Sequence, residues 1–472
     1  MNSMPFTIRI ETIGCRLNQT ESEALFFIFL QEGFSIFKEK DTQKKDDVCL
    51  CILNTCTVTS KAEQKARRLI RHLLKTHIKA CILVTGCYAE LEGNAIEAID
   101  SRVIAFPGKK KDDLVFLASY IKKKMKEIQE KKSLNTETLK NIIISFRIFC
   151  NNKVAHNEEY PSMGSSIRNS TSFVPTFALS SPTFMLHSRA TLKVQDGCNN
   201  SCTFCRIRIA RGKAVSLASE EVVRRLQEIE KKGYKEVVIT GVNLSQYKSD
   251  KKNFSDLLEL LIEKTSNIKI RISSLYPESI NEKLLLVIAN ERICPHFHLS
   301  IQSGNDEILK KMGRSYKKYD IYRAVERLRE AKDAPFIGCD IITGFPSETE
   351  EAFLDTFDMC RTLKFAGIHA FPFSPRPNTS AFFMKHKVSN LISTKRVARL
   401  NALAKKNYTQ YLDSCNGKSF FAIIEAPYNA SFFVTSENYL HLPLISKKPH
   451  KPADAVYIEI QGNMAIEKGD IL

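Results

Sequence analysis

The chain has 472 residues, of which 43% are hydrophobic and 26% charged, and it carries a formal net charge of +18 at pH 7. This composition is typical of a globular protein and excludes a disordered or fibrous one, while no apolar run approaches the roughly 20 residues that a membrane-spanning helix needs. The basic surplus favours a polyanionic partner, most simply nucleic acid, although a solubilising surface would show the same surplus.

The first 130 residues alternate strand and helix patterns. The segments "FTIRIETIG", "VCLCILNTC" and "CILVTGC" are predicted strands that end at a Gly or Asn turn, and "ESEALFFIFLQEG" and "AEQKARRLIRHLLK" have helical spacing. This alternation predicts an N-terminal parallel α/β domain over residues 1–130. Because the first residues lack the apolar core and cleavage site of a signal peptide, we expect a cytoplasmic protein with no membrane partner.

Fourteen cysteines in a reducing compartment indicate metal ligands or reactive thiols rather than disulfides. Three of them, Cys15, Cys56 and Cys87, each follow a predicted strand of the N-terminal domain. Loops at one edge of a parallel sheet converge, so these thiols could bind one iron–sulfur cluster, but separated cysteines are also common core residues. Cys49 and Cys51 share a strand face with apolar neighbours and are predicted to be core residues.

Residues 131–188 differ in composition, since they include a long segment rich in Ser, Thr, Asn and Pro, "NNKVAHNEEYPSMGSSIRNSTSFVPTFALSSPTF". We predict a linker or a surface insertion of weak order there.

Strand–helix alternation resumes at residue 189 and continues to residue 412. Six predicted strands separated by helical patterns indicate a partial (β/α)6 barrel, in which chemistry takes place at the carboxyl ends of the strands. Residues 413–472 predict a small antiparallel β-barrel, and they hold five Lys/Arg against seven Asp/Glu. The six predicted strands are 192–195, 236–240, 269–274, 297–301, 336–343 and 368–373.

The loop after the first barrel strand, "DGCNNSCTFCRIRIARG" (196–212), holds three cysteines that lie four and three positions apart. A structural zinc site needs four ligands, and the nearest downstream cysteine, Cys294, is almost ninety residues away. A [4Fe–4S] cluster on three thiolates keeps one iron open for a substrate or cofactor. The alternatives are three core cysteines or a zinc site with a distant fourth ligand.

The pattern CxxxCxxC after the first strand of a partial barrel resembles the radical S-adenosylmethionine (SAM) superfamily. The resemblance implies that Cys198, Cys202 and Cys205 hold a [4Fe–4S] cluster whose open iron binds SAM. Phe204 matches the aromatic residue that this superfamily often has before the third cysteine.

Three N-terminal segments, "GCRLNQTESE", "NTCTVTSKAEQKARR" and "TGCYAE", resemble the cysteine motifs of the methylthiotransferase family of radical SAM enzymes. That resemblance implies a second, auxiliary [4Fe–4S] cluster on Cys15, Cys56 and Cys87.

Four further segments resemble the barrel motifs of this family: "GVNLSQY", "HLSIQSG", "DIITGFPSETEE" and "FPFSPRPNTSA". Within them, "GVNL" and "FSPRPNT" resemble the MtaB-type branch. Residues 413–472 are similar to the RNA-binding TRAM domain. Enzymes of this branch add a methylthio group to C2 of N6-threonylcarbamoyladenosine next to the anticodon (position 37) of tRNA. The resemblance therefore implies SAM, two [4Fe–4S] clusters, a tRNA anticodon loop as partner, and a reductant such as flavodoxin or ferredoxin. The chain departs from the family at Arg208, where proline is usual. It departs from the branch at Leu275-Tyr276-Pro277, where an acidic residue usually precedes the proline.

An unactivated aromatic C–H offers no handle for acid–base catalysis, so the resemblance implies a 5′-deoxyadenosyl radical from SAM, and no catalytic His or Asp is predicted. His296 and His298 share a strand face, but without a third ligand nearby we interpret them as packed or pocket-lining residues rather than zinc ligands. Another tRNA adenosine or a ribosomal protein aspartate is the alternative substrate. A non-catalytic iron–sulfur protein that binds RNA or acts as a sensor is the alternative from another class.

Small or polar residues at the strand ends are candidate SAM contacts, although turn residues have the same composition. Four basic residues after the third cysteine could contact RNA phosphate or the SAM carboxylate, or be solvated surface charges. The candidate SAM contacts are Phe204, Gly241, Asn243, Ser273, Gln302, Ser303 and Asp340. The basic residues are Arg206, Arg208, Arg211 and Lys213.

Residues 61–79 predict an amphipathic helix with an apolar stripe and a basic surround. We interpret the basic residues as a strip along RNA phosphates, the alternative being a solvated helix face. The stripe is Ala66, Leu69, Ile70, Leu73 and Leu74, and the basic residues are Lys65, Arg67, Arg68, Arg71 and Lys75.

Overall fold

The computed structural model divides into two compact units, Met1–Met185 with Arg206–Lys213, and Leu186–Cys205 with Ala214–Leu472. Among the residues that the structure describes, no helix has both the length and the apolar character needed to cross a membrane. The described residues are 6–37, 47–127, 135–152, 177–181, 183–184, 187–425 and 432–468.

The first unit is built on a parallel sheet. Its strands are β1 (Thr7–Thr12), β2 (Ser35–Ile36), β3 (Val48–Thr55), β4 (Cys81–Gly86) and β5 (Val103–Ala105). They lie in the order β2-β1-β3-β4-β5, and every neighbouring pair is parallel. The predicted parallel α/β fold is confirmed. Since β1, β3 and β4 are neighbours, the residues that follow them meet at one edge of the sheet.

Helices cover both faces of this sheet, and their apolar stripes explain where they form. In the second helix, the cap Thr59 accepts a hydrogen bond at Oγ1 from the amide of Ala62 (3.1 Å), and Ala66, Ile70, Leu73 and Leu74 are buried as predicted. The helices are α1 (Arg16–Gln31), α2 (Ser60–Thr76), α3 (Cys87–Glu97), α4 (Leu117–Glu127), α5 (Thr136–Asn152) and α6 (Ile207–Arg211), with a 3₁₀ segment at Gly108–Phe116.

Helix α5 corrects the interpretation of residues 131–188 as a weakly ordered linker. It buries an apolar face that includes Leu139 and Phe146 in the core of the first unit, and the ring of Phe146 stacks 5.9 Å from that of Phe106. Apolar residues recur every three or four positions along α5, and the polar composition of the following segment hid this pattern. Residues 153–176, the centre of the predicted linker, lie outside the described residues.

The second unit contains the predicted partial barrel. Its parallel strands are β6 (Ala190–Lys193), β9 (Glu236–Thr240), β10 (Lys269–Ile272), β11 (Ser274–Leu275), β12 (His296–Gln302), β13 (Phe336–Thr343) and β14 (Gly367–Pro372). A short antiparallel pair, β7 (Gln195–Asp196) with β8 (Val215–Ser216), lies after β6. Strand order is β10-β9-β6 in one sheet and β11-β12-β13-β14 in the other. These positions confirm the strands predicted from the sequence.

Helices connect the barrel strands and begin at polar caps. The helix that follows β9, for example, starts with a capping box in which Asn253 and Asp256 each accept a hydrogen bond from the other residue's amide. The helices are α7 (Ser219–Lys231), α8 (Phe254–Lys264), α9 (Glu282–Ile288), α10 (Asp306–Met312), α11 (Lys318–Ala331), α12 (Glu350–Leu363), α13 (Ser380–Phe383) and α14 (Asn390–Ser414), with 3₁₀ turns at Leu244–Gln246 and Pro277–Ser279.

The C-terminal residues form the predicted small β-barrel. Its strands are β15 (Ser419–Ile424), β16 (Phe433–Ser436), β17 (His441–Ile445), β18 (Ala455–Gln461) and β19 (Met464–Glu467). They close in the order β15-β16-β17-β19-β18. Every neighbouring pair is antiparallel as expected except β17 with β19, which is parallel. Closure removes the exposed strand edges that an open sheet of this size would present.

This small barrel packs against the amino ends of the large barrel's strands. Arg271 in β10 donates to both carboxylate oxygens of Glu236, the first residue of β9, at 2.7 and 2.8 Å. Its guanidinium also donates to the carbonyl oxygens of Ser436 (3.1 Å) and Glu437 (3.0 Å). Because barrel chemistry takes place at the carboxyl ends, the small barrel lies at the opposite end of the strands.

Replacing Arg271 by Met should lower the free energy of unfolding of the second unit by about 3–5 kcal/mol, because the buried carboxylate of Glu236 loses its main partner. Replacing Arg271 and Glu236 together by Met should recover most of that loss. Hydrogen exchange of the β9 and β10 amides measures both effects. The exposed Arg323→Met is the matched control, with an expected change within about 0.5 kcal/mol. A double variant as unstable as the single one would contradict this account.

Candidate metal centres and active site

The thiols of Cys15, Cys56 and Cys87 meet at the carboxyl edge of the first unit's sheet. Cys15 is the N-cap of α1, Cys56 follows β3 directly, and Cys87 is the first residue of α3. Cys56 interacts electrostatically with both of the other thiols. The structure thus places the three residues side by side, and their binding of one cluster stays a prediction.

Two glycines allow these loops to approach each other. Gly14 has φ +133°, and a Cβ on it would lie 2.7 Å from the Cβ of Cys56. Gly86 has φ +90°, and a Cβ on it would lie 2.4 Å from the carbonyl oxygen of Thr55. Any other residue would both strain the backbone and push the cysteine loops apart.

A buried polar network lies beside the three thiols. Arg211 in α6 donates from Nε to Sγ of Cys87 (3.2 Å) and from Nη2 to Oδ1 of Asn18 (2.7 Å). Oε1 of Glu21 pairs with Nζ of Lys111 (2.6 Å) and with Nη1 of Arg211 (3.4 Å). Two cations around one carboxylate leave positive charge next to the sulfurs, which suits thiolate ligands of an anionic cluster.

Burial by itself favours neutral thiols at this site, whereas the neighbouring hydrogen-bond donors favour the thiolates that bind metal. Burial raises the pKa of the Cys56 thiol to about 12, and the neighbouring thiols of Cys15 and Cys87 contribute to the rise. Iron binding needs deprotonated sulfur. Hydrogen bonds from Arg211 to Cys87, and from the amide of Val58 to Sγ of Cys56 (3.5 Å), stabilise negative charge on these sulfurs.

The loop after β7 carries the other three predicted ligands and is held by elements that follow β9, β12 and β14. The amide of Thr203 donates to the carbonyl of Met312 (3.0 Å), and its carbonyl accepts from the amide of Ala381 (2.8 Å). The amide of Asn199 donates to Oε1 of Gln246 (2.8 Å). These contacts fix the loop at the carboxyl ends of the barrel strands. Its thiols are Cys198, which is buried, and Cys202 and Cys205, which are half-buried.

Arg314, which the sequence analysis missed, places a cation beside Cys202. Its guanidinium lies 5.6 Å from the ring of Phe204 and 4.8 Å from that of Tyr276. Nε and Nη1 of Arg314 are buried and have no hydrogen-bond partner among the described residues. Burial raises the pKa of the Cys202 thiol, and Arg314 opposes that rise. A buried cation with unused donors suits an anionic group, as a cluster or the carboxylate of SAM would supply. The lone arginine in "MGRSY" carries no signal of this role.

Two of the candidate SAM contacts, Asn243 and Gly241, lie close to the loop that carries Cys198 or to the residues that support it, and a third, Ser273, has an unused hydroxyl. Nδ2 of Asn243 is 3.9 Å from Sγ of Cys198. Oγ of Ser273 is buried and has no hydrogen-bond partner in the described part of the chain. Gly241 approaches Gln195 so closely that a Cβ on it would lie 3.0 Å from that side chain. An unused buried hydroxyl fits a polar group of a cofactor.

The other candidate SAM contacts differ in whether their polar groups already have hydrogen-bond partners within the protein. Gln302 ends β12 with φ +72°, and Asp340 in β13 accepts hydrogen bonds from two histidines. Ser303 is fully buried, its Oγ lies 3.2 Å from Oγ1 of Thr356 and accepts from the amide of Asn305 at 3.2 Å. These contacts speak against Ser303 as a cofactor contact.

Two of the four basic residues after the third cysteine are not on the surface, which argues against their expected contact with RNA phosphate. Arg206 is buried and pairs with Glu63 (3.5 Å) and Glu92 (2.9 Å). Arg211 belongs to the network beside Cys87. The two exposed residues are Arg208 and Lys213.

Replacing Arg211 by Met should lower the stability of the first unit by about 1–3 kcal/mol, because Asn18 and Cys87 lose a buried hydrogen-bond donor while Glu21 keeps its ion pair with Lys111. Hydrogen exchange of the α3 amides in the metal-free protein measures this loss. Arg208→Met, at an exposed position of the same helix, should change stability by no more than about 0.5 kcal/mol. Equal effects of the two replacements would contradict the importance of the network.

Two family models match the chain, the Radical SAM superfamily over residues 192–360 and the Uncharacterized protein family UPF0004 over residues 7–108. The first match covers the barrel strands up to α12, and the second covers the sheet that carries Cys15, Cys56 and Cys87.

Curated proteins resemble the chain over most of its length. A threonylcarbamoyladenosine tRNA methylthiotransferase of Treponema pallidum (strain Nichols) is 49% identical over 94% of this chain and 95% of that protein. One of Bacillus subtilis (strain 168) is 32% identical over 86% of this chain and 82% of that protein. A tRNA-2-methylthio-N(6)-dimethylallyladenosine synthase of Thermodesulfovibrio yellowstonii is 31% identical over 83% of this chain and 81% of that protein.

Among solved structures, the radical S-adenosylmethionine methyltransferase TsrM of Kitasatospora setae, with cobalamin and a [4Fe-4S] cluster bound, has a TM-score of 0.51 to this chain. The two share 13% sequence identity over 80% of this chain and 77% of that one. This likeness concerns the fold.

Proposed function

The chain belongs to the threonylcarbamoyladenosine tRNA methylthiotransferase family, and we propose that it adds a methylthio group to C2 of N6-threonylcarbamoyladenosine next to the anticodon (position 37) of tRNA. The observation that carries this proposal is the pair of three-thiol sets, each at the carboxyl edge of a parallel sheet. One set serves a reaction that starts from SAM, and the other serves the transfer of sulfur.

In this proposal, one [4Fe–4S] cluster binds to Cys198, Cys202 and Cys205, and the auxiliary cluster binds to Cys15, Cys56 and Cys87. When bound, the clusters and SAM supply the one-electron chemistry and the sulfur that substitution at an unactivated aromatic C–H requires. The protein's contribution is to bind, orient and shield these groups.

Three residues have roles in binding and orienting these groups. Arg314 offers its two unused N–H groups to negative charge at the Cys202 loop, and the hydroxyl of Ser273 offers a hydrogen bond to a polar group of SAM. Arg211 holds the sulfur of Cys87 in place through Nε. Burial of the Cys56 and Cys198 sulfurs limits the access of water to one side of each thiol set.

The proposed reaction needs an external electron for each cleavage of SAM. A flavodoxin or ferredoxin fits as its source, and we place the reaction in the cytoplasm, where tRNA and such reductants occur together.

Mass spectrometry of tRNA nucleosides from cells with and without the gene tests the function. We expect the 2-methylthio derivative of N6-threonylcarbamoyladenosine to disappear without the gene and to return when the gene is restored. Loss of the methylthio group from dimethylallyladenosine or from a ribosomal protein instead would identify another substrate. A chain that binds clusters and RNA but forms no 5′-deoxyadenosine would be a non-catalytic protein.

The basic surface of α2 should bind tRNA phosphates, with one change to the expected residues. Arg67 donates to the hydroxyl of Tyr88 (2.8 Å) and is therefore held by the first unit, whereas Arg68, Arg71 and Lys75 are exposed. Replacing these three by Glu should weaken tRNA binding and flatten its dependence on salt, because each phosphate contact releases counterions.

The salt dependence of tRNA affinity measures this effect. A matched control is the replacement by Glu of the exposed Lys231, Lys232 and Lys235 in the second unit, which makes the same change in net charge. Equal affinity losses in both variants would indicate a general charge effect and contradict a specific role of α2.

A further inference from the structure

Three polar side chains from neighbouring strands form a cluster inside the barrel. Nε2 of His298 in β12 lies 3.0 Å from Oδ1 of Asp340 in β13, and Nδ1 of His369 in β14 lies 3.5 Å from the same oxygen. Asp340 and His369 are directly opposite each other in the register of the two strands. His298 has no third ligand nearby in the sequence, because Asp340 and His369 come from other strands.

The alternation along the strands places this cluster on the concave face. In β12, Phe297 and Leu299, on either side of His298, are fully buried, and in β13 Cys339 and Ile341 flank Asp340 in the same way. The side chain of His369 is 61% exposed. The cluster is thus open to a ligand in the barrel interior rather than sealed in the core.

The Asp340 carboxylate lies beside two imidazole rings and favours the protonated, hydrogen-bond-donating form of His369. Burial would raise the pKa of the Asp340 carboxyl, but hydrogen bonds from His298 and His369 outweigh it and hold the pKa below its usual range. The hydrogen bond to Asp340 in turn raises the pKa of His369. With Nδ1 directed at Asp340, His369 in its protonated form presents Nε2–H, and no described residue accepts that hydrogen bond.

We propose that His298, Asp340 and His369 form the subsite for the carboxylate of the threonylcarbamoyl group, with Nε2–H of His369 as the donor. This inference rests on the proposed function and deepens it. Phe371 lies on the same face of β14, two positions towards the carboxyl end, which is roughly 7 Å at the rise of a strand. Its ring is 44% exposed and offers an apolar surface to the adenine.

The chemistry of the cluster separates two kinds of N6 substituent. A carboxylate accepts the hydrogen bond of the imidazolium, whereas an apolar dimethylallyl group would displace water from the charged cluster without replacing its hydrogen bonds. A site built around a polar group rejects the analogue that lacks it. The cluster of His298, Asp340 and His369 therefore favours a threonylcarbamoyl group over a dimethylallyl group. The first group is in the name of the relative from Treponema pallidum, and the second is in the name of the relative from Thermodesulfovibrio yellowstonii.

SAM is the other possible source of a carboxylate. The three-thiol loop lies at the carboxyl ends of the strands, whereas His298 lies four residues before the end of β12, which is roughly 13 Å along the strand. A SAM carboxylate held beside Cys202 and Arg314 would therefore lie away from His298 and the two side chains that it contacts. For this reason the tRNA carboxylate is the assigned ligand.

Binding of three anticodon stem-loop RNAs to the reconstituted protein tests the subsite. The first carries N6-threonylcarbamoyladenosine, the second its threonine methyl ester, and the third N6-dimethylallyladenosine. The wild type should prefer the free acid to the ester by roughly 10- to 100-fold, as expected for a hydrogen bond to a charged group. His369→Phe and His369→Gln should bring this ratio close to one. His386→Gln, at an exposed position, is the matched control and should keep the preference for the free acid.

The two carboxylate sources give different results. If the ligand is the tRNA carboxylate, His369→Phe still forms 5′-deoxyadenosine from SAM without RNA at the wild-type rate. If His369→Phe instead weakens SAM binding and keeps the acid-to-ester ratio, the carboxylate is that of SAM and the proposal is overturned. A third result would also overturn the proposal. If the wild type binds one Zn²⁺, His369→Phe abolishes that binding, and the ratio of acid to ester affinity is unchanged, the three side chains form a cation site.

Failure of the subsite and failure of the proposed function are distinguishable. A wild-type protein that forms no methylthio product on the threonylcarbamoyl RNA overturns the proposed function. A wild-type protein that forms the product, with a preference that does not depend on His369, overturns only the subsite. Since His369 is largely exposed, its replacement should leave the fold intact, and a circular dichroism spectrum identical to that of the wild type verifies this.

Discussion

Replacing Cys198, Cys202 and Cys205 together by Ala should reduce the cleavage of SAM to 5′-deoxyadenosine, and with it all methylthio product, to background. These residues are the thiols of the loop at the carboxyl ends of the barrel strands, and Ala offers iron no ligand. Anaerobically reconstituted wild type should contain about eight irons per chain and the variant about four, since each [4Fe–4S] cluster has four irons. Iron analysis and mass spectrometry of 5′-deoxyadenosine under reducing conditions measure both results.

This prediction has two clear ways to fail. A variant that keeps about eight irons would show that the three thiols are not cluster ligands. Zinc in place of iron, in wild-type protein reconstituted with both metals available, would indicate structural metal sites instead.

Replacing Cys15, Cys56 and Cys87 together by Ala should leave SAM cleavage in place but abolish the methylthio product. These thiols belong to the first compact unit, whereas Cys198, Cys202 and Cys205 belong to the second. Removing one set should therefore leave the fold of the other unit intact. Because sulfur transfer is assigned to the auxiliary cluster, the transfer of sulfur to the tRNA base should fail, whereas the cleavage of SAM should not. Product analysis of tRNA, alongside 5′-deoxyadenosine, measures the separation.

The two triple variants serve as controls for each other, because each removes three thiols. Full methylthio product from the Cys15, Cys56 and Cys87 variant would make the auxiliary-cluster assignment wrong. Loss of SAM cleavage in that variant, with the iron of the other cluster still present, would show that the roles of the two sets are not separable.

The sequence by itself determined the fold class and the strand ends at which the six thiols lie. A strand in a parallel sheet is a short apolar run, and the residue directly after it lies at the edge of the sheet wherever the run packs. Cys56 after β3 and Cys87 after β4 could therefore be placed without knowledge of any distant contact. The amphipathic helix α2 was predictable for the same reason, because its apolar stripe repeats with the helical period.

Only the tertiary structure decided which charged and polar residues serve these sites. Arg211 contacts Cys87 across 124 positions of the chain, and Arg271 contacts Glu437 across 166. Asp340 and His369 join His298 because β12, β13 and β14 are neighbours. A buried arginine and an exposed one have the same local sequence pattern, since burial of a charge depends on the partner that a distant element brings. Backbone periodicity is local and can be predicted from sequence, whereas the pairing of buried charges is settled when the elements pack.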